Sequence, residues 1–177
     1  MTVPDSVRVY VPATLAMLQQ LVADGQLFPV SGTAFAVTPT LRESYAEGDD
    51  EELAEVALRE AALGSLRLLA SDHEDAGDAA LPPRRAVLVA DAAADDVKPR
   101  PDLDDAVVRL SAPVTVGALV AVYVDIAAAE SAVRTAMAVI DEADLGDEDA
   151  ELAVGDAQDH DLAWYATQEL PFLLDLL

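Results

Sequence analysis

The stretch between Arg84 and Asp125 decides the fold, because it places three strand-like segments in succession without a helix between them. They are Arg-Arg-Ala-Val-Leu-Val-Ala-Asp at 84–91, Ala-Val-Val-Arg-Leu-Ser at 106–111 and Leu-Val-Ala-Val-Tyr-Val-Asp at 119–125. Short Val-rich runs bounded by polar residues are typical of strands. Parallel strands need a long crossover, so this succession predicts that at least part of the sheet is antiparallel. The third segment is apolar on both faces, and we expect it near the centre of the sheet.

The flanking sequence completes an α+β pattern. The remaining predicted elements are a strand at 7–11, a helix from Thr14 to Gly25, a strand at 33–38, a short helix from Pro39 capped by Thr40, a helix from 49 to about 70, an Ala-rich helix at 126–143, a short strand at 162–165 and a final helix capped by Thr167. Segments 71–83, 95–105 and 144–151 are expected to be loops. We therefore predict a single layered α+β domain over residues 1–177, with a mixed or largely antiparallel sheet of five to six strands and four to five helices. Residues 1–6 are expected to form a flexible extension.

Composition and charge place the chain among folded acidic proteins. Its 177 residues carry 34 Asp and Glu against 10 Lys and Arg, a net charge of −24, while 53% of residues are hydrophobic and the mean hydropathy is +0.24. Disorder requires low hydrophobicity together with high net charge, and only the second is present. The negative charge argues against nucleic-acid binding, which needs clustered Lys and Arg, and against docking on anionic lipid. The chain has no cysteine, which excludes disulfides and Cys-ligated metal sites.

Membrane insertion and secretion are not expected. The longest nearly apolar runs, near 112–124 and 126–129, are interrupted by Asp125 and fall short of the roughly 18 apolar residues of a spanning helix. The first residues, Met-Thr-Val-Pro-Asp, lack the basic and apolar regions of a signal peptide. We therefore expect a cytoplasmic protein.

The segment 160–169, His-Asp-Leu-Ala-Trp-Tyr-Ala-Thr-Gln-Glu, concentrates the candidate binding residues. It holds the single Trp of a chain in which only 5% of residues are aromatic. An aromatic wall with polar anchors is typical of a ligand or partner site, and Tyr10 or Tyr45 is expected nearby. The alternative is a docking segment in which Trp164 fills the core and Glu169 caps the last helix, because large aromatics usually anchor cores. The candidate residues are Tyr10, His160, Asp161, Trp164, Tyr165, Gln168, Glu169 and Phe172.

Motifs of known chemistry are absent from the sequence. Asp156, Asp159, His160 and Asp161 are residue types that bind Mn, Fe or Zn, but their spacing matches no helical ligand pair, so we expect a polar turn and no metal. No phosphate-binding loop, nucleophile elbow or zinc-protease motif occurs. No cofactor is expected, and no specific reaction is supported. The Arg84–Arg85 pair is expected to bind neighbouring acids rather than a carboxylate or phosphate ligand.

The C-terminal quarter combines acidity with apolar residues. Residues 135–177 contain 12 Asp and Glu and no Lys or Arg, which indicates a solvated face or, alternatively, a surface that binds a basic partner or mimics nucleic acid. The last residues, Leu170-Pro-Phe-Leu-Leu-Asp-Leu-Leu177, hold more large apolar side chains than one face of a short helix buries. The leading hypothesis is therefore a non-catalytic domain that binds a partner protein or a second copy. A small-molecule site or an enzyme that uses residues 160–169 is the alternative.

Three stretches together resemble a family of uncharacterised actinobacterial proteins, a domain of unknown function. They are Val-Arg-Val-Tyr-Val-Pro-Ala-Thr at 7–14, Gly-Thr-Ala-Phe-Ala-Val-Thr-Pro at 32–39 with Leu41-Arg42, and His-Asp-Leu-Ala-Trp-Tyr-Ala-Thr-Gln-Glu-Leu at 160–170. The resemblance covers nearly the whole chain from about Val7. A composition with 35 Ala, nine Arg, one Lys and no Asn agrees with a high-GC source. The resemblance implies a class of organism and brings no activity, substrate or catalytic residue.

Overall fold

The computed structural model describes residues 5–45, 47–76 and 81–177, except for the side chains of residues 73–76. Within these residues the chain forms nine strands and six α-helices. The strands are β1 (Ser6–Ala13), β2 (Gln26–Leu27), β3 (Thr33–Phe35), β4 (Ala86–Ala93), β5 (Val97–Pro99), β6 (Val107–Leu110), β7 (Val114–Thr115), β8 (Leu119–Val124) and β9 (Ala163–Tyr165). The helices are α1 (Leu15–Asp24), α2 (Pro39–Ser44), α3 (Asp50–Ala76), α4 (Glu130–Asp144), α5 (Glu148–Gln158) and α6 (Leu170–Asp175). None of the helices in the described residues combines the length and apolarity needed to span a bilayer.

Seven strands form one antiparallel sheet in the order β5-β6-β3-β1-β4-β8-β9, and β2 pairs with β7 in a separate two-stranded sheet. The α+β class is therefore confirmed, whereas the expected five to six strands and four to five helices are too few. The three unpredicted strands, β2, β5 and β7, span two or three residues each. Such strands are too short for an alternating pattern to reveal them.

The centre of the sheet is the pairing of β1 with β4, which runs from Ser6 opposite Ala93 to Ala13 opposite Ala86. The expectation that β8 would be central is wrong, because β8 lies next to the edge strand β9. Its residues are apolar on both faces because both sides of the sheet are covered there. β1 begins at Ser6, so the 1–6 segment predicted to be an extension is too long by at least that residue. Residues 1–4 of that segment lie outside the described part of the chain.

Side chains of β1 alternate between two cores. Val9 and Val11 face a core that is completed on the helices by Leu15, Leu18, Leu21, Leu170 and Leu173. Tyr10 faces the opposite core, to which α3 contributes Leu53, Ala57 and Ala61. The sheet therefore lies between α1 and α6 on one side and α3 on the other. The second half of α3 packs in turn against α4 and α5, through a cluster that includes Leu66, Leu69, Val133, Ile140 and Ala157.

Helix caps agree with the sequence prediction at α1 and differ at α2. The Thr14 hydroxyl caps α1, and Gly25 ends that helix in the left-handed conformation, with φ at +76°. At α2 the capping residue is Thr38, whose hydroxyl oxygen accepts a hydrogen bond from the Leu41 amide at 3.0 Å. The expected cap, Thr40, lies inside the helix because the proline that follows Thr38 occupies the first turn.

Parts of two acidic segments that were expected to be loops are helical. α3 continues past its expected end near residue 70 to Ala76, and α5 begins at Glu148, inside the predicted loop 144–151. The Asp147 carboxylate caps α5 by accepting a hydrogen bond from the Ala150 amide at 2.9 Å. Further carboxylates in the first turn of α5 favour the helix through the macrodipole.

Both edges of the large sheet offer few free backbone groups. At β5, the Ser111 amide donates to the Asp96 carbonyl and the Arg100 amide donates to the Val107 carbonyl. Alternate residues of an edge strand bond to its neighbour, so the backbone of Pro99, which lies between these bonded positions, faces away from the sheet. Proline has no amide proton to offer there.

At the other edge, the Asp125 amide donates to the Arg85 carbonyl, which determines the residues of β8 that bond to β4 and those that bond to β9. In the register with β9, the backbone groups of Trp164 and Ala166 therefore face away from the sheet. The Ala166 amide already donates to the Glu169 carboxylate at 3.0 Å. The sheet is thus protected against growth by strand addition at either edge.

Gly64 sits where α3 approaches β1 most closely. A Cβ atom at this position would lie 2.9 Å from Pro12 Cγ. Gly64→Ala is expected to lower the free energy of unfolding by about 1–3 kcal/mol, because the added methyl overpacks the interface between helix and sheet. The matched control is Gly155→Ala in α5, where a Cβ would meet nothing within 4 Å. That change is expected to stabilise by up to about 1 kcal/mol through helix propensity, and urea unfolding of both variants decides. A stabilised Gly64→Ala variant would contradict the close approach.

The carboxyl of Glu60 on α3 has a pKa above its ordinary value. Burial raises the pKa of its carboxyl, Asp104 raises it further, and Arg67 and Arg59 oppose the shift. A carboxyl with a raised pKa binds its proton more readily in the folded state, so stability decreases as the pH rises through the interval between the ordinary and the raised pKa. Glu60→Gln is therefore expected to raise the melting temperature at neutral pH and to lose that gain at acid pH. The exposed Glu55→Gln on the same helix serves as control, and thermal melts across pH measure the difference. An equal response of both variants would contradict the assignment.

Candidate functional site

A fully buried ion pair joins the start of β4 to the end of the neighbouring strand β8. Arg85 precedes β4 and Asp125 follows β8, and their side chains are 1% and 0% exposed. The guanidinium donates from Nε to Asp125 Oδ2 and from Nη2 to Oδ1, both at 2.8 Å. The Arg85 amide donates to the same Oδ2 at 2.8 Å. The carboxylate therefore accepts three hydrogen bonds, which compensate for its removal from water.

The same guanidinium holds the turn that leads into the C-terminal segment. Arg85 Nη1 donates to Gln158 Oε1 at 2.8 Å, and Nη2 donates to the His160 carbonyl at 2.7 Å. The Gln158 side chain in turn donates to the Arg59 carbonyl on α3 at 3.3 Å. The ion pair thus connects β4, β8, α3 and the end of α5, and it fixes the point from which β9 starts.

Trp164 lies at the sheet edge and is 58% exposed. It is paired with Tyr123 of β8, so its side chain projects on the α3 side of the sheet, while Tyr165 projects to the other side and packs partly buried against the core that contains α1 and α6. The expectation that Trp164 fills the core is therefore wrong. The edge position explains this, because β9 is the last strand of the sheet within the described residues.

Helix α6 has one buried face and one exposed apolar face. Leu170 and Leu173 are buried, whereas Phe172 is 72% exposed and Leu176 is 86% exposed. Phe172 lies in α6 and Leu176 is the residue that ends it, with a backbone conformation that continues the helical turn. The two are four residues apart, a spacing that brings side chains to the same side of a helical turn. Glu169 was expected to cap the last helix, but its side chain makes no capping bond to α6 and instead accepts a hydrogen bond from the Ala166 amide, at the start of the 3₁₀ turn that precedes α6. Thr167, the other expected cap, starts a 3₁₀ turn and does not cap the helix.

The remaining candidate residues are spread over the molecule. Tyr10 is buried on the α3 side of the sheet, where burial raises the pKa of its phenol. His160 is half-buried in the turn, and Asp161 and Gln168 are exposed. A small cleft of about 160 Å³ lies between β4 and residues 110–118, and none of the eight candidates lines it. A pocket lined by His160 and Trp164, with Tyr10 or Tyr45 nearby, stays a prediction.

Sequence reasoning missed Asp125 as an anchoring residue. Its one signal was a single charge at the end of an otherwise apolar strand. The expectation that Arg84 and Arg85 bind neighbouring acids is confirmed, because Arg84 Nε lies 3.0 Å from Glu130 Oε2 and Arg85 binds Asp125. In the described part of the chain, no group of three or more His, Asp or Glu side chains is placed to hold a metal ion.

Removal of one partner of the buried pair is expected to be far more damaging than removal of both. Asp125→Ala should lower the free energy of unfolding by about 3–5 kcal/mol, because it leaves a buried guanidinium without its counter-charge. The double variant Arg85→Met with Asp125→Leu should recover much of that loss. Urea unfolding of the two variants and the parent chain measures both values. A double variant as unstable as Asp125→Ala would show that the charges themselves are required.

Comparison with known proteins gives a family without an assigned role. The model of a family of unknown function, DUF6912, matches residues 7–174. No curated protein and no solved structure matches the chain. The match starts at Val7 and covers nearly the whole chain, in agreement with the resemblance expected from the sequence. The expected actinobacterial source stays a prediction.

Proposed function

The chain belongs to DUF6912, a family of unknown function, and we propose that it acts by binding another protein through the outer face of α6. The observation that carries this proposal is the exposure of Phe172 in α6 and of Leu176 directly after it, while Leu170 and Leu173 of the same helix are buried. Two large apolar side chains side by side on a surface helix are typical of an interaction site. The binding role and the cytoplasmic location expected from the sequence are both parts of this proposal.

Burial of the Phe172 and Leu176 side chains against a partner contributes favourably to the free energy of binding. Removal of a Phe or Leu side chain from water contributes about 1.5–3 kcal/mol each. A few anchors of this kind usually carry most of the energy of a protein interface.

The observed surface supports binding to a partner protein better than it supports self-association by strand pairing. The outward backbone groups of β9 are limited because the Ala166 amide is already bonded to Glu169. At the opposite edge Pro99 lacks an amide proton. A partner therefore has to contact side chains rather than extend the sheet. Self-association through α6 itself would bring Glu169 and Asp175 of two copies close together, which like-charge repulsion disfavours.

The test compares capture by the parent chain with capture by surface variants. We expect photo-crosslinking in the native cell to join the parent chain to a specific protein. The double variant Phe172→Ala with Leu176→Ala should lose that product, because the apolar contact is removed. Leu145→Ala is the matched control, since Leu145 is 88% exposed but lies in the turn between α4 and α5. Mass spectrometry identifies and quantifies the crosslinked protein.

Folding and oligomeric state are controlled in the same experiment. Phe172 and Leu176 are exposed, so the double variant is expected to melt at the parent's temperature. Sedimentation velocity of the parent separates a second copy from a different protein. Capture that is unchanged in the double variant contradicts the proposal, and so does a loss of capture in Leu145→Ala that equals the loss in the double variant.

A further inference from the structure

The partner's chemistry follows from the charges around the apolar pair, and this inference rests on the function proposed above. We infer that the outer face of α6 accepts an amphipathic helix whose apolar stripe is bordered by Lys and Arg. The inference combines the acidic border of the pair, the absence of cations from the surrounding segment and the geometry of the contact.

Carboxylates border the apolar pair on both sides. Glu169 lies three residues before Phe172 and Asp175 lies three residues after it, so helical spacing places both next to the pair. Both residues are exposed. Neither forms an ion pair within the part of the chain that the structure describes. The border therefore offers negative charge that a partner's cations can meet.

The wider surroundings strengthen this polarity. No Lys or Arg follows Arg134, and residues 135–177 contain 12 acidic residues. A partner with an acidic border would be repelled at long range as well as in contact. The same argument disfavours a second copy of the chain, because a two-fold interface places identical patches face to face.

The geometry of the contact favours a helix over an extended peptide. The edge strand β9 offers an incoming strand little free backbone, since the outward amide of Ala166 is occupied by Glu169. The exposed apolar pair comprises a residue of α6 and the residue that ends it. Its four-residue spacing is the spacing of the side-chain ridges that pack against another helix. A partner helix with apolar residues at that spacing thus matches both the shape and the charge of this face.

The experiment uses three synthetic peptides of about 18 residues, which is about five helical turns. The first is an amphipathic Leu/Lys helix, the second replaces each Lys with Glu, and the third scrambles the Leu/Lys sequence so that charge is kept and amphipathicity is lost. Fluorescence anisotropy of labelled peptides measures their affinity for the full chain. We expect the Leu/Lys helix to bind at least about tenfold more tightly than either of the other two peptides, and to weaken as salt is added.

Variants locate the binding and separate charge from apolar contact. Phe172→Ala with Leu176→Ala should weaken Leu/Lys binding by about tenfold or more, and Asp175→Asn should weaken it less while reducing its salt dependence. Leu145→Ala and Asp95→Asn, both at exposed positions outside residues 160–177, are the matched controls and should leave the affinity unchanged.

The outcomes distinguish this inference from the proposed function. Equal binding of the Leu/Lys and Leu/Glu helices, lost in the α6 double variant, overturns the basic partner and supports the binding role of α6. Leu/Lys binding that survives the double variant places the peptide elsewhere on the acidic surface and overturns the inference. Binding of none of the three peptides overturns it too, while crosslinking that depends on Phe172 and Leu176 still decides the proposed function independently.

Discussion

The buried pair of Arg85 and Asp125 is the interaction on which the arrangement of the C-terminal third depends. A charge pair without solvent contact is expensive to form, and it persists only where its hydrogen-bonding capacity is satisfied. Here the carboxylate accepts three bonds from Arg85 alone, and the guanidinium has two further acceptors in Gln158 and the His160 carbonyl. Because those acceptors immediately precede β9, the pair fixes where the edge strand begins. The chain then continues through β9 to α6, which docks on the sheet through the buried Leu170 and Leu173 and so leaves Phe172 exposed.

The fold then limits how this surface can be used. An antiparallel sheet of seven strands has two edges, and at each edge a local feature reduces the number of backbone groups free to pair with another strand. Pro99 removes a donor at β5, and the Glu169 carboxylate occupies the Ala166 amide beside β9. Glu169 thereby has two effects, since the side chain that closes the sheet edge also leaves negative charge beside the exposed pair on α6. Recognition through this segment consequently depends on side chains, whose shape and charge can be selective, rather than on backbone pairing.

Local patterns predicted most of the sheet and little of the site. The three longer strands of residues 84–125, which are β4, β6 and β8, were predictable because their Val-rich runs are bounded by polar residues. α5 was missed because its buried positions, Ala150 and Ala157, are small and seven residues apart, so no apolar stripe marks the helix. The Arg85–Asp125 pair joins residues 40 positions apart in sequence, and no local pattern reports such a contact. The apolar C-terminus was evident from composition, yet which of its residues are exposed depends on how α6 docks, and only the tertiary structure determines that.

The acidity of the chain and its exposed apolar residues are best understood together. A net charge of −24 makes copies of the chain repel one another, which opposes self-association through an exposed apolar pair such as Phe172 and Leu176. The same charge attracts cationic surfaces from a distance, with a range set by ionic strength. Repulsion between copies and attraction to a basic partner therefore arise from one property, and salt weakens both. The apolar contact responds differently, because salt at moderate concentration screens charges without weakening apolar burial. A surface built from both components discriminates between partners by charge at long range and by shape on contact, which a uniformly acidic face without Phe172 and Leu176 could not do.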